Sequence, residues 1–126
     1  MNVPEDRRYT DQHEWALQTV GAVRIGITDY AQDALGDVVF VDVLVEPGDE
    51  VEADQIIAEV ESTKSVAEIY APFEGRVAAV NSRLADVPET VNTDPYDEGW
   101  FLAIEPTDPA AYEALLEAAA YEALTA

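Results

Sequence analysis

Hydrophobic and polar positions alternate through the first third of the chain. In residues 15–27, WALQTVGAVRIGI, Val, Ile and Leu are interleaved with Gln, Thr and Arg. Gly21 stands where a turn would close them into a hairpin, so the pattern predicts two short strands. Thr28 or Asp29 then caps a short helix, DYAQDAL, which Gly36 ends. The run VVFVDVLV, residues 38–45, is rich in β-branched residues and predicts a strand buried on both faces.

Glu46-Pro47-Gly48-Asp49 is a turn signal, and Pro72-Phe73-Glu74-Gly75 is another. Between them, residues 56–61 and 66–71 are strand candidates flanking Ser62-Thr63-Lys64-Ser65. The halves on either side of Lys64 are imperfect mirror copies: PGDEV precedes IIAEVES, and VAEIYAP precedes FEGRV. A strand over 76–81 follows, then short turns or helical pieces, then an apolar strand over 100–105. Asp108 with Pro109 opens a helix expected over about 109–124, with Tyr112, Leu115, Leu116, Ala119 and Ala123 on its packing face. The sum is a mainly β single domain, residues 1–126, with a hairpin at about 56–71, short peripheral helices and a C-terminal helix.

Composition narrows the chemistry. The 126 residues are 48% hydrophobic yet carry a net charge of −21, from 27 Asp and Glu against 6 Lys and Arg. Such a surface repels a phosphate backbone and argues against nucleic acid. Five of the six cations are Arg, and carboxylates crowd the rest, as in proteins built for concentrated salt. With no cysteine there is no thiolate nucleophile, disulfide or Cys-ligated metal, and the single histidine, His13, is too few for a His-based zinc cluster. No metal site and no catalytic residue is expected. Redox or transfer chemistry would need a prosthetic group attached from outside. No apolar run reaches membrane-span length, and the N-terminus lacks a signal-peptide core, so the cytoplasm is the expected location.

The one lysine, Lys64, falls at the centre of the mirrored hairpin. Nothing flanking it supplies the apolar pocket of a Schiff-base lysine, so it is a poor nucleophile there. As an attachment point it is well suited. Ser62, Thr63 and Ser65 are small, a hairpin tip projects the side chain outward, and acylation would turn it into a long uncharged arm. The spacing alone does not say which acyl group. The plain alternative is a turn lysine kept for solubility.

Several blocks together resemble the H-protein family of the glycine cleavage system, which are lipoyl carriers. They are HEW at 13–15, GITDYAQDALGDVVFV at 26–41, PGDEV at 47–51, ESTKS around Lys64, VNTDPYDEGW at 91–100 and the AYEAL ending. The blocks at 26–41 and 91–100 lie outside the hairpin and separate this chain from the lipoyl domains of 2-oxoacid dehydrogenases. ESTKS stands where relatives often read ESVKA, a change beside the lysine that is compatible with the modification geometry, and Val87-Pro88 stands where Asn-Pro is common, which touches only loop detail.

The resemblance implies a barrel-sandwich hybrid fold and lipoate attached to Lys64. It implies a carrier without catalysis of its own, a monomer, that moves the aminomethyl group of glycine between enzymes. Its partners would be a pyridoxal-phosphate glycine decarboxylase, a tetrahydrofolate-dependent aminomethyltransferase, the flavoprotein dihydrolipoyl dehydrogenase with FAD, and an enzyme that attaches lipoate. A lipoyl-relay protein donating lipoate to other enzymes is the alternative, and an unmodified interaction module is a third.

On that reading, the loaded arm ends in an amine that a carboxylate would hold. Glu14 and Glu68 are the candidates, with His13 facing the same cleft, while Trp15, Tyr30 and Trp100 either line it or pack in the core. The plainer expectation is that both acids are solvated and His13 packs or caps.

Overall fold

The computed structural model describes all 126 residues. In chain order they form β1 (Arg8–Tyr9), β2 (Glu14–Gln18), β3 (Val23–Ile27), α1 (Asp29–Leu35), β4 (Val38–Val43), β5 (Glu50–Val51), β6 (Ile56–Ser62), β7 (Val66–Tyr70) and β8 (Gly75–Val80). Then come α2 (Arg83–Asp86), α3 (Thr90–Thr93), β9 (Leu102–Pro106), a 3-10 turn (Pro109–Ala111) and α4 (Ala118–Thr125). No helix is long and apolar enough to cross a membrane.

Two antiparallel sheets divide the strands. One runs β1-β2-β3-β9-β8-β5 and the other β4-β6-β7. Their alternating inward residues make one core: Val23, Ile25, Leu102 and Ile104 from the first sheet meet Val41, Ile57, Val60 and Ile69 from the second. This is the barrel-sandwich arrangement. The mirrored sequence about Lys64 becomes a set of nested pairs. Glu61 faces Val66, Glu59 faces Glu68, Ile56 faces Tyr70, and further out Glu50 faces Arg76. The chain thus folds back on itself about Thr63 and Lys64, and the lysine is the tip.

Two expectations are corrected. Strand β4 is not buried on both faces: Val39 and Phe40 are 53% and 48% exposed. It sits at the edge of the three-stranded sheet, whose outer face is open, and a bulge between Val38 and Phe40 breaks the alternation. The C-terminal segment is not one helix over 109–124. Asp108 does cap a turn at Pro109, its carboxylate accepting from Ala110 N at 3.0 Å, but the turn lasts three residues. Leu116 then exchanges backbone hydrogen bonds with Tyr9 at 2.8 and 2.9 Å, spending the groups a continuous helix would need. The remaining helix, α4, buries Ala118 and Tyr121 against Tyr9 and Trp15, leaving Ala119 and Ala123 in solvent.

Candidate functional site

The tip is organised by one hydroxyl. Ser62 Oγ accepts from Ser65 N at 3.0 Å and from Lys64 N at 3.3 Å, while Ser62 N donates to Ser65 O at 2.8 Å. Thr63 N donates to Asp37 O at 3.1 Å, which ties the tip to the loop after α1. That loop is held in turn by Asn92. Its Oδ1 accepts from Val38 N at 2.8 Å, and its Nδ2 donates to Gly36 O at 2.9 Å and Gln32 Oε1 at 3.0 Å.

Lys64 is exposed and makes no ion pair, although 27 carboxylates share the chain with it. The four ion pairs all use arginine: Arg7, Arg8, Arg76 and Arg83. The fifth arginine, Arg24, stacks on Trp100. Lys64 alone among the cations is free of partners, and its ammonium is open to approach.

Beside the tip, a groove of about 320 Å³ runs between α1 and β7, the open edge strand of its sheet. Tyr30, Ala31, Ala34 and Leu35 form one wall, residues 65–69 the other, and Gln12 with His13 its far part. The lining is mainly apolar, with Glu68 as its one carboxylate. These walls fit an uncharged acyl chain on Lys64. The largest cavity, about 650 Å³, lies at the base of the hairpin and is lined by Glu50, Glu52, Glu74 and Glu105. It is an acidic, solvated cleft away from the lysine.

The predicted site residues separate into two groups. Glu68 and His13 line the groove. Glu14 lies behind it, 2% exposed, against a neighbouring cavity that shares Gln12 with the groove. Its Oε2 accepts from Tyr70 N at 2.7 Å, and its Oε1 accepts from Thr10 Oγ1 at 2.9 Å. Burial pushes the Glu14 carboxyl up to about 7, against the opposing pull of those two hydrogen bonds. It is therefore poised between charged and neutral near physiological pH.

His13 has φ 68°, the left-handed region that a non-glycine residue rarely enters. Thr28 N donates to its carbonyl at 3.1 Å, and its ring rests on Tyr30 with centroids 4.6 Å apart. Burial lowers the imidazole's proton affinity, and Asp11 opposes this. Of the aromatics, Tyr30 lines the groove. Trp15 is buried beneath Gly26 and donates from Nε1 to Pro95 O at 2.8 Å, and Trp100 packs beside that cluster.

Sequence reasoning missed Gly36 and Asn92 as parts of the site. From the sequence Gly36 reads only as a helix stop, and Asn92 only as part of the VNTDPYDEGW run at 91–100. Their contacts join segments 54 or more residues apart in the case of Asn92, and no local spacing encodes that.

Comparison with known proteins agrees with this geometry. The family described as Glycine cleavage H-protein matches residues 7–126. A glycine cleavage system H protein of Anaeromyxobacter sp. (strain K) is 54% identical over 123 residues, covering 98% of this chain and 95% of its own. The one from Chromohalobacter salexigens is 49% identical, covering 98% and 94%. The crystal structure of a glycine cleavage system H protein from Mycobacterium marinum superposes with a TM-score of 0.88 at 43% identity, covering 98% of each chain. A match of this extent, over both sheets and the hairpin alike, means that the chain belongs to the glycine cleavage H-protein family.

Proposed function

We propose that residues 1–126 act as a single carrier domain that bears lipoate on Lys64 and moves the aminomethyl group of glycine from the decarboxylase to the aminomethyltransferase. The observation that carries this reading is the lysine itself. It is the only one in the chain, stands at the apex of nested strand pairs, lacks an ionic partner and adjoins an apolar groove. Lipoate would supply the dithiolane sulfurs that a chain without cysteine cannot.

The chain's own residues have binding tasks and no catalytic one. Ser62 and the Thr63–Asp37 hydrogen bond present the lysine, and α1 and β7 shelter an apolar arm from water. Glu68 at the groove and Glu14 behind it are the acids that would hold a cationic amine, with His13 beside them. Each charge-assisted contact of this kind contributes about 1.5–3 kcal/mol where partly buried.

The partners are the decarboxylase, the aminomethyltransferase, dihydrolipoyl dehydrogenase and a lipoate-attaching enzyme, each meeting a monomeric carrier in the cytoplasm. The net charge of −21 suits a cell interior rich in salt.

Intact mass of the native protein tests the attachment: one lipoyl adduct is expected, and none in Lys64→Arg. Glycine-dependent CO₂ exchange with the decarboxylase tests the role. A fully lipoylated protein that fails to support exchange would favour lipoyl relay instead. Glu14→Gln and Glu68→Gln should each speed loss of the bound aminomethyl group, and an unchanged rate removes that residue from the site.

A further inference from the structure

A chain of buried hydroxyls connects the groove to the C-terminal helix. Thr28 Oγ1 lies 2.7 Å from the Tyr121 hydroxyl, which lies 2.8 Å from His13 Nδ1. Thr28 and Tyr121 are both fully buried.

The direction of the protons follows from counting acceptors. Thr28 Oγ1 already accepts from Ala31 N at 3.2 Å, as the cap of α1. Its own hydrogen has one acceptor in reach, the Tyr121 oxygen. The Tyr121 hydrogen must then go to His13 Nδ1. Nδ1 is an acceptor, and the neutral imidazole carries its hydrogen on Nε2. The reverse order would leave the Thr28 hydrogen buried without an acceptor. Nε2 has no partner in the protein and reaches solvent, in a residue that lines the groove.

The distances along α1 match an arm on Lys64. The Lys64 stem lies against Gly36, at the helix's C-terminal end, and His13 stacks on Tyr30 in its first turn. Tyr30 and Gly36 are six residue steps apart along the helix, about 9 Å at 1.5 Å per residue. From a lysine Nζ to the first sulfur of a lipoyl chain there are seven bonds, roughly 9 Å when extended.

We infer that Tyr121 is a positioning residue for the arm: it fixes His13 as an N–H donor at the far end of the groove, turned toward a sulfur acceptor and offering the arm no imidazole lone pair. This rests on the reading that Lys64 bears lipoate and that the arm lies in the groove. The disulfide sulfurs of a dithiolane, a thioether sulfur and a thiolate carry no hydrogen to donate, and a thiol donates only weakly, so all of them suit an N–H, whereas a cationic amine is turned away from it toward Glu68. The two ends of a loaded arm are thereby sorted between donor and acceptor. It also gives the C-terminal helix, remote in sequence from the hairpin, a task at the site.

Because His13 is the only histidine, histidine-selective ¹⁵N labelling reports on it alone. Long-range ¹H–¹⁵N correlation of the lipoylated protein should show the neutral Nε2–H pattern, and the Nε2 signal should shift when the dithiolane is reduced. Tyr121→Phe keeps the ring that stacks on Tyr9 at 4.8 Å and should convert the pattern to a tautomer mixture. An Nδ1–H or charged ring in the wild type at neutral pH overturns the inference. So does an unchanged pattern in Tyr121→Phe; should that variant not fold, the wild-type spectrum still decides the tautomer. The correct tautomer with no shift on reduction overturns the contact with sulfur. Absence of the lipoyl adduct by intact mass would instead sink the underlying reading of Lys64.

Discussion

The side chain of Lys64 lies across the backbone of Gly36, so closely that a Cβ at Gly36 would stand 3.1 Å from Lys64 Cε. Gly36 has φ 80° and ψ −156°, a region open essentially to glycine alone. Sequence makes it a helix stop, and the structure also makes it the floor under the Lys64 side chain. Gly36→Ala should cost about 1–3 kcal/mol in backbone strain, read as a lower urea midpoint. It should also slow lipoylation, followed by intact mass, under conditions where the variant is still folded. Unchanged lipoylation in folded protein would show that the lysine's resting place does not matter to the modifying enzyme.

Asn92 supports the same loop from below. It satisfies the amide of Val38, a residue 4% exposed, and donates to Gly36 O and Gln32 Oε1. Asn92→Asp keeps the acceptor but loses both donors, and sets a carboxylate against two oxygens. A loss of about 1–3 kcal/mol is expected, smaller at low pH where the acid can donate again. Equal urea midpoints for Asn92→Asp and wild type at pH 7 would contradict the clamp.

How far the sequence carried can be judged from particular residues. Strands β2, β3, β6, β7 and β8 and helix α1 follow from period, β-branching and turn chemistry, all local signals. Thr28 and Gly36 bound α1 where capping rules place them. The place of Lys64 at the hairpin tip is legible because its surroundings are local too: the hairpin's symmetry is written in the chain on either side. The C-terminal segment misled because AYEALLEAAAYEAL has helix propensity throughout, yet the backbone of Leu116 is taken by Tyr9, over 100 residues away. Strand β4 misled because composition does not say which sheet a strand joins. The sequence marks Glu14 and His13 but not their environments. That one is buried and hydrogen-bonded and the other tied to Tyr121 depends on packing between the HEW block and distant segments.

Glu14 makes stability depend on pH in a definite direction. Its carboxyl moves from an ordinary value of 4.5 to about 7 on folding. Between those values the folded protein holds a proton that the unfolded chain releases, so stability falls as pH rises through this window and levels off above it. The span corresponds to a contribution on the order of 3 kcal/mol. Glu14→Gln lacks the titration, and its amide can still accept from Tyr70 N. Relative to wild type it should gain stability between pH 5 and pH 8, measured by urea unfolding in high salt to screen the other carboxylates. A difference independent of pH would mean that Glu14 is not desolvated as described.

The open face of the three-stranded sheet carries a row of like charges. Asp42 stands opposite Glu59, and Glu59 opposite Glu68, with no cation between them. Directly opposed like charges cost about 0.2–1 kcal/mol per pair, and Glu59 belongs to both pairs. The screening length shrinks from about 10 Å at 0.1 M salt to about 3 Å at 1 M, so the cost should fade as salt rises. Glu59→Gln is therefore expected to melt higher than wild type at 0.1 M KCl and to lose that advantage by 1–2 M. Glu105→Gln should behave oppositely at low salt, because Glu105 pairs with Arg76 at 3.3 Å. A wild type whose melting temperature does not rise with KCl, or a Glu59→Gln advantage that persists at high salt, would separate the acidic surface from any adaptation to salt. The row ends at Glu68, on the wall of the groove beside Lys64. On the proposal that Glu68 holds a cationic amine, salt that relieves the row would also weaken that hold, so the same titration, run on the loaded carrier, should show release quickening as stability climbs.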